Sequence, residues 1–320
     1  MALALALLAF LPLSLGFGQV ALSSGQLWAG LSGADPALAA IVLEIRLPRV
    51  LLGLAVGAAL GLCGAALQGL LQNPLAEPGL LGVSAAASLG AVIALYFGLV
   101  AISSLALPLA ALAGAFLATL LLHWLARRAG SLTLILSGVA LGSLAVALTA
   151  LAINLSPNPY ASAEIVFWLM GSLRDRGLPD LLLTLPFLVA GAVLLLGVGR
   201  GLDALTLGED AGQSLGVGLS RLRARVVLAT ALLAGGSVAG AGGVGFVGLV
   251  VPHLMRPFVA HRPGALLWPS ALGGALLLGV ADLAVRLLPL GTELMLGVLT
   301  ALLGAPFFLH LVFRLGRERR

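Results

Sequence analysis

Long apolar runs separated by short polar breaks set the pattern of this chain. They lie near 2–22, 50–71, 80–100, 105–125, 132–153, 180–199, 226–242, 244–259, 266–288 and 294–313. Each approaches the roughly 20 apolar residues a helix needs to cross a bilayer. The pattern predicts an all-α polytopic membrane protein of about ten transmembrane helices. The weakest boundary falls between the seventh and eighth runs, inside the glycine-rich stretch Gly235 to Gly248. The first run resembles a secretory signal, but no basic residue precedes it, and such signals normally carry one. It is read as an uncleaved first span.

Composition changes the domain count. A length of 320 residues suggests about two soluble domains, yet the chain is 61% apolar and only 9% charged. Soluble domains carry roughly 25% charged residues. So few charges cannot cover a water-facing surface, which excludes a soluble enzyme, a disordered chain and a disulfide scaffold. Residues 1–320 are therefore read as a single transmembrane domain.

Charge gives the orientation. All 17 basic residues are Arg and the net charge is +5. Without Lys the chain has no Walker A lysine for nucleotide phosphates and no Schiff-base amine. With both termini cytoplasmic, Arg127, Arg128, Arg200, Arg221, Arg223, Arg225, Arg256, Arg262, Arg314, Arg317, Arg319 and Arg320 fall at or near the inner side, as the positive-inside rule requires. Arg46, Arg49, Arg174, Arg176 and Arg286 are left on the outer side. The reading is a multi-pass protein of the cell's inner (cytoplasmic) membrane. No basic stripe with interleaved aromatics suggests nucleic acid.

Candidate chemistry is sparse. The lone Cys63 lies in an apolar run, where a thiol usually acts as a small hydrophobe. His123, His253, His261 and His310 show no metal-ligand spacing. No nucleophile and base converge, so the chain is read as a non-enzyme that binds no cofactor or metal. Asp282, His253 and Glu293 are intramembrane ionisable groups, which by default suggest function. Asp282 precedes Arg286 by four residues, however, and can pair with it on one helix face. No chain of acids crosses the membrane, which speaks against an ion-coupled secondary transporter, the alternative reading. Gln68 and Asn154 fit either a pathway lining or a buried interhelical hydrogen bond.

Small residues and three connections complete the picture. Gly53, Gly57 and Gly61 form a double GxxxG and Gly236 with Gly240 another; such faces let helices approach closely in lipid. The segment Gln72–Gly79 carries two prolines that stop one helix and position the next. Residues 156–179 form a long outer connection with room for a short helix. Residues 201–220 form the longest inner loop, helix-compatible with glycine breaks, and a candidate docking surface for a cytosolic partner.

These residues carry a family resemblance. Arg46-Leu47-Pro48-Arg49, Gly57-Ala58-Ala59-Leu60, Gln68, and Asn73 through Ser84 resemble the membrane permeases of ABC importers for ferric siderophores, haem and vitamin B12. The same order continues through Trp168 to Leu173, Leu207-Gly208-Glu209 to Val217, Gly245 to Arg256, Ala281-Asp282 with Arg286, and Gly304 to Phe308. The match covers roughly residues 40–315. One departure is Glu293-Leu294-Met295-Leu296-Gly297, which lacks the proline usual before the last span; it bears on the local helix start.

The resemblance implies a type II ABC importer permease that moves a metal chelate inward by ATP-driven alternating access. Its partners would be a second copy of itself, two separate ATP-binding subunits that hydrolyse ATP, a periplasmic or lipid-anchored substrate-binding protein, and membrane lipid. Arg46, Arg49 and Arg286 match positions that dock the binding protein. Asn73, Leu75 and Ser131 match a cytoplasmic gate. Glu209, Gly212 and Gly216 match the ATPase coupling segment. No single chelate is favoured.

Overall fold

A computed structural model describes residues 2–18, 20–103, 105–126, 131–156, 158–288 and 294–318. All regular structure among them is helical. The first helices are α1 (Ala2–Gly16), α2 (Ser24–Ser32) and α3 (Pro36–Ala39). Ser23 and Gln26 form a capping box that starts α2, and Asp35 caps α3, each satisfying N–H groups that a helix start leaves open. A π-helical stretch, Ala40–Arg46, continues α3 into α4 (Leu47–Leu71). The whole rod Pro36–Leu71 has 36 residues.

Helix α4 stops at Gln72, which is left-handed at φ 48°, and Pro74 follows. A 3-10 turn, Pro78–Leu81, leads into α5 (Val83–Tyr96), α6 (Ala106–Ala126) and α7 (Ser131–Asn154). The outer connection 156–179 carries α8 (Pro159–Leu169), started by the Asn158 side chain accepting from Ala161 N. Then come α9 (Leu178–Leu194), α10 (Gly199–Leu205), α11 (Glu209–Ser214), α12 (Leu219–Ala241), α13 (Val247–Met255), α14 (Pro263–Leu287) and α15 (Leu296–Glu318).

Each of the ten apolar runs carries a helix. By length and apolarity alone, four cross a membrane among the described residues: Pro36–Leu71, Thr133–Asn154, Leu219–Ala241 and Pro263–Leu287. Helices α9 and α10, bent by 54° at their junction, make a fifth if taken as one span. The other five runs hold apolar helices whose fully described stretches are shorter: Ala2–Gly16, Val83–Tyr96, Ala106–Leu122, Val247–Val259 and Leu296–Leu311.

The eighth run departs from the sequence expectation. Residues 244–259 do not form one continuous α-helix of spanning length. Helix α13 has nine residues and passes into a 3-10 turn, Arg256–Val259. At 1.5 Å per residue it rises about 14 Å, half of a bilayer core. The cause lies in the glycine-rich stretch itself, where Gly242 (φ 70°) and Phe246 (φ 65°) hold left-handed backbone and interrupt the helix.

Helices α4, α12 and α14 form the core. The apolar window of α4 is 78% buried, whereas that of α7 is 17% buried. Helices α4 and α14 run antiparallel, and their backbones touch. A Cβ on Gly57 would overlap the Gly274 carbonyl, and one on Gly61 would overlap Ser270 O. Gly64 makes the same kind of approach to Gly248 at the start of α13. The first GxxxG therefore marks the central seam. Without a hydrophobic effect between helices in lipid, this close packing is what associates them. Gln68 is buried in this seam, donating to the carbonyls of Gly248 (3.4 Å) and Leu249 (3.5 Å). Its interhelical hydrogen-bond reading is thus the one realised, while Asn154 is exposed at the end of α7.

Candidate functional site

Polar residues gather at both ends of α4. At its N-terminal end a 680 Å³ cavity is lined by Arg46, Arg49, Arg174, Arg176 and Arg286, with Glu44 and Asp175. The five arginines that the sequence set apart from the rest thus share one pocket. They arrive from the π-helical stretch, α4, the α8–α9 connection and the end of α14.

Two of them hold a third group between them. Arg49 donates from Nε (3.0 Å) and Nη2 (2.8 Å) to Asp282 Oδ1. Arg286 Nε lies 3.0 Å from Asp282 Oδ2. The expected pair within α14 is present, and Arg49 joins it from α4. Two guanidinium groups thus share one buried carboxylate beside the cavity.

Arg46 and Arg286 also finish α1. A helix C-terminus leaves its last carbonyls without N–H partners, and its dipole favours a cation there. Arg46 Nη1 donates to Leu15 O (2.7 Å) and Gly16 O (3.1 Å), and Nη2 to Val20 O. Arg286 donates to the carbonyls of Ser14 and Phe17, both at 3.0 Å, and to Ser14 Oγ. Nothing local in the sequence signals this cap, because its donors lie far along the chain from α1.

At the other end of α4, Asn73 and Leu75 sit half-buried in one turn, and Asn73 Oδ1 accepts from Leu75 N at 2.9 Å. Ser131 opens α7, but its side chain lies outside the described residues, as do Arg127, Arg128, Glu293, Arg319 and Arg320. Glu77 is a residue that pattern reading passed over. Its carboxyl tucks toward the α12–α13 connection and accepts from Phe246 N–H. Burial pushes this carboxyl above its ordinary range, partly offset by that hydrogen bond.

Residues 201–220 are a helical hairpin rather than a simple loop. Gly208 (φ 100°) separates α10 from α11, and Gly216 (φ 86°) ends α11; a Cβ would strain either. Gly212 is buried against α10. Glu209, in the first turn of α11, pairs with Arg223 of α12. Leu207 and Leu215, in the turns flanking α11, are 68% and 65% exposed. Two anchors fix the hairpin to the bundle. Asp203 accepts from Gly264 N (2.7 Å) at the start of α14 and from Arg262 Nη2 (2.8 Å). Arg225 caps the end of α9 by donating to the carbonyls of Leu194 and Leu196.

A core of apolar helices closed by backbone contact, with a cationic pocket at one end and a helical hairpin at the other, is the build of a multi-pass membrane protein. Comparison with known proteins gives its family. Residues 5–314 match the FecCD transport family, and the chain belongs to it. It is 45% identical over 293 residues to the vitamin B12 import system permease protein BtuC of Vibrio cholerae, covering 91% of this chain and 88% of that one. It is 41% identical over 275 residues to the Fe(3+) dicitrate transport system permease protein FecD of Escherichia coli, covering 86% of each. Among solved structures, an inward-facing metal-chelate type ABC transporter superposes with a TM-score of 0.89 at 34% identity, covering 98% of both chains.

Proposed function

We propose that this chain is the membrane-spanning subunit of an ATP-driven importer for metal chelates, the class that includes ferric siderophores, haem and cobalamin. The observation that carries the reading is full-length similarity to permeases named for vitamin B12 and Fe(3+) dicitrate. On this reading the cationic pocket faces outward and receives acidic groups of a substrate-binding protein. Arg guanidinium suits this because it pairs bidentately with carboxylates. Arg46, Arg49 and Arg286 form the floor of the docking site, and Arg174 and Arg176 add to its rim.

The Asn73 end faces the cytoplasm, as do both termini, and the protein resides in the inner membrane. Asn73, Leu75 and Ser131 close the inner mouth against a second copy of the chain. Glu209, Gly212 and Gly216 shape the α10–α11 hairpin, which receives movement from two ATP-hydrolysing subunits. The exposed Leu207 and Leu215 give that contact its apolar part. Glycine turns on either side of α11 and the Asp203 and Arg225 anchors support a rigid transmitting surface.

The test is co-purification of the tagged chain from its host in mild detergent, with identification of partners and an absorption spectrum of the recovered binding protein. An ATPase subunit together with a corrinoid, haem or ferric-chelate spectrum is expected. Recovery of the chain alone, with uptake that resists orthovanadate and collapses with an uncoupler, would replace this reading with ion-coupled transport.

A further inference from the structure

The geometry points to an oxyanion-binding site of the phosphate type at the Asn73 end, built on Arg256. A 180 Å³ cavity lies between the end of α4, the end of α10, the turn after α13 and the start of α14. Its polar lining includes Asn73, Gln72, Thr206, Arg256 and His261. Arg256 is half-buried, and its guanidinium is positioned by donating from Nη2 to Gln68 Oε1 at 2.7 Å. Gln68 is neutral, and its own amide is spent on the carbonyls of Gly248 and Leu249.

Among the described residues no carboxylate lines the cavity. Asp203 nearby is taken by Arg262 and by the Gly264 N–H. A partly desolvated cation held by a neutral partner lacks the counter-charge that buried charges normally have. The other groups favour an anion as well. Asn73 Oδ1 is occupied by Leu75 N, so what this side chain has left to offer a ligand is its NH₂ donor. His261 reaches the cavity because Ala260 and His261 are both left-handed, at φ 49° and 60°. Non-glycine residues in that region persist only where the surroundings hold them, as they do at ligand sites.

Size and fork geometry select the ligand. The cavity is well below the roughly 300–1,000 Å³ of pockets for drug-sized molecules, and suits a small ion with its waters. A planar guanidinium matches phosphate oxygens two at a time. The phosphate could belong to a free ion or to an anionic lipid headgroup; the chemistry at Arg256 is the same. Because Asn73 and Thr206 share the lining, an occupant would tie the gate turn to the α10–α11 hairpin. That consequence rests on the function proposed above; the binding site does not.

The experiment uses the full chain in nanodiscs and follows thermal unfolding with inorganic phosphate replacing chloride at constant ionic strength. In phosphatidylcholine discs, phosphate is expected to raise the unfolding temperature saturably, with Arg256→Gln weakening apparent affinity at least tenfold. Asn73→Asp keeps the acceptor for Leu75 N but places a carboxylate in the cavity, and is expected to abolish the response while Arg256 stays intact. In discs containing phosphatidylglycerol, an undiminished phosphate response identifies the free ion as the ligand. A stability gap between wild type and Arg256→Gln that is wider in phosphatidylglycerol than in phosphatidylcholine discs, with no added phosphate effect in the former, identifies the headgroup. Absence of any saturable response in wild type, or a response that survives both substitutions, would overturn the site. Phosphate binding by a chain that assembles with no ATPase subunit would leave the site standing and remove the coupling reading.

Discussion

Arg49 and Asp282 lie 233 residues apart in sequence and 2.8 Å apart in space, joining α4 to α14 at the cationic end of the core. Asp282 is shared by Arg49 and Arg286. Asp282→Asn keeps the volume and removes the buried charge to which both guanidinium groups are joined. Breaking a buried pair from one side typically costs about 3–5 kcal/mol. A large drop in unfolding temperature in detergent is expected, and an unchanged temperature would show that the carboxylate does not hold this end together.

The seam between α4 and α13 makes a sharper prediction. A Cβ at Gly64 would overlap the Gly248 backbone, which has no side chain to swing aside. Gly64→Ala is expected to cost about 1–3 kcal/mol through overpacking. The control is Gly25→Ala in α2, where nothing lies within 4 Å; there alanine should be neutral or add up to about 1 kcal/mol through helix propensity. Monodisperse yield and thermal unfolding compare the two.

Docking is best tested away from the structural arginines. Arg49, Arg46 and Arg286 all hold the fold, so reversing their charge would confuse association with stability. Arg174 lines the pocket but is 58% exposed, with only Asp175 beside it at 3.5 Å. Arg174→Glu is expected to leave stability within about 0.5 kcal/mol of wild type, as surface changes do. It should slow association with the cognate binding protein and lessen its salt dependence. Equal association rates would argue that the pocket rim plays no part in docking.

Glu77 sets a pH dependence. Its carboxyl value is raised in the folded protein by burial, so the folded state binds its proton more tightly than the unfolded chain. Stability from this group is complete below the ordinary carboxylate value, falls as pH rises through the raised value, and is flat above it. Glu77→Gln still offers an oxygen to Phe246 N–H but carries no charge. It is expected to unfold at a higher temperature than wild type near neutral pH, without the fall in stability on raising pH through that window. Parallel pH profiles for the two proteins would show that Glu77 does not titrate in this way.

Much of this architecture is legible in the sequence because membrane helices announce themselves by length and apolarity. The double GxxxG of α4 also pointed to the central seam, and Asp282 to Arg286 to a local pair. What was hidden depended on long-range geometry. The half-length of α13 could not be seen in an apolar count, since Gly242 to Phe246 is apolar yet not helical. The capping of α1 by Arg46 and Arg286, and the anchoring of α10 by Asp203 to Gly264, need partners brought together only by the fold. The basic pocket lay between these cases: five arginines stood out as exceptions to the charge bias, but only the structure gathers them around one cavity.

The contact of Gly57 with Gly274 and Gly61 with Ser270 has a mechanical consequence. Two helices interlocked backbone to backbone cannot slide or roll without prising apart atoms already at contact distance, and packed interiors yield poorly to such strain. Helices α4 and α14 therefore behave as a single beam, with Arg49 and Asp282 as a rivet near one end. By contrast α7 is largely exposed, α9 and α10 meet at a 54° bend, and left-handed backbone breaks the chain ahead of α13; if the chain works as proposed above, movement is expected there rather than along the α4–α14 beam.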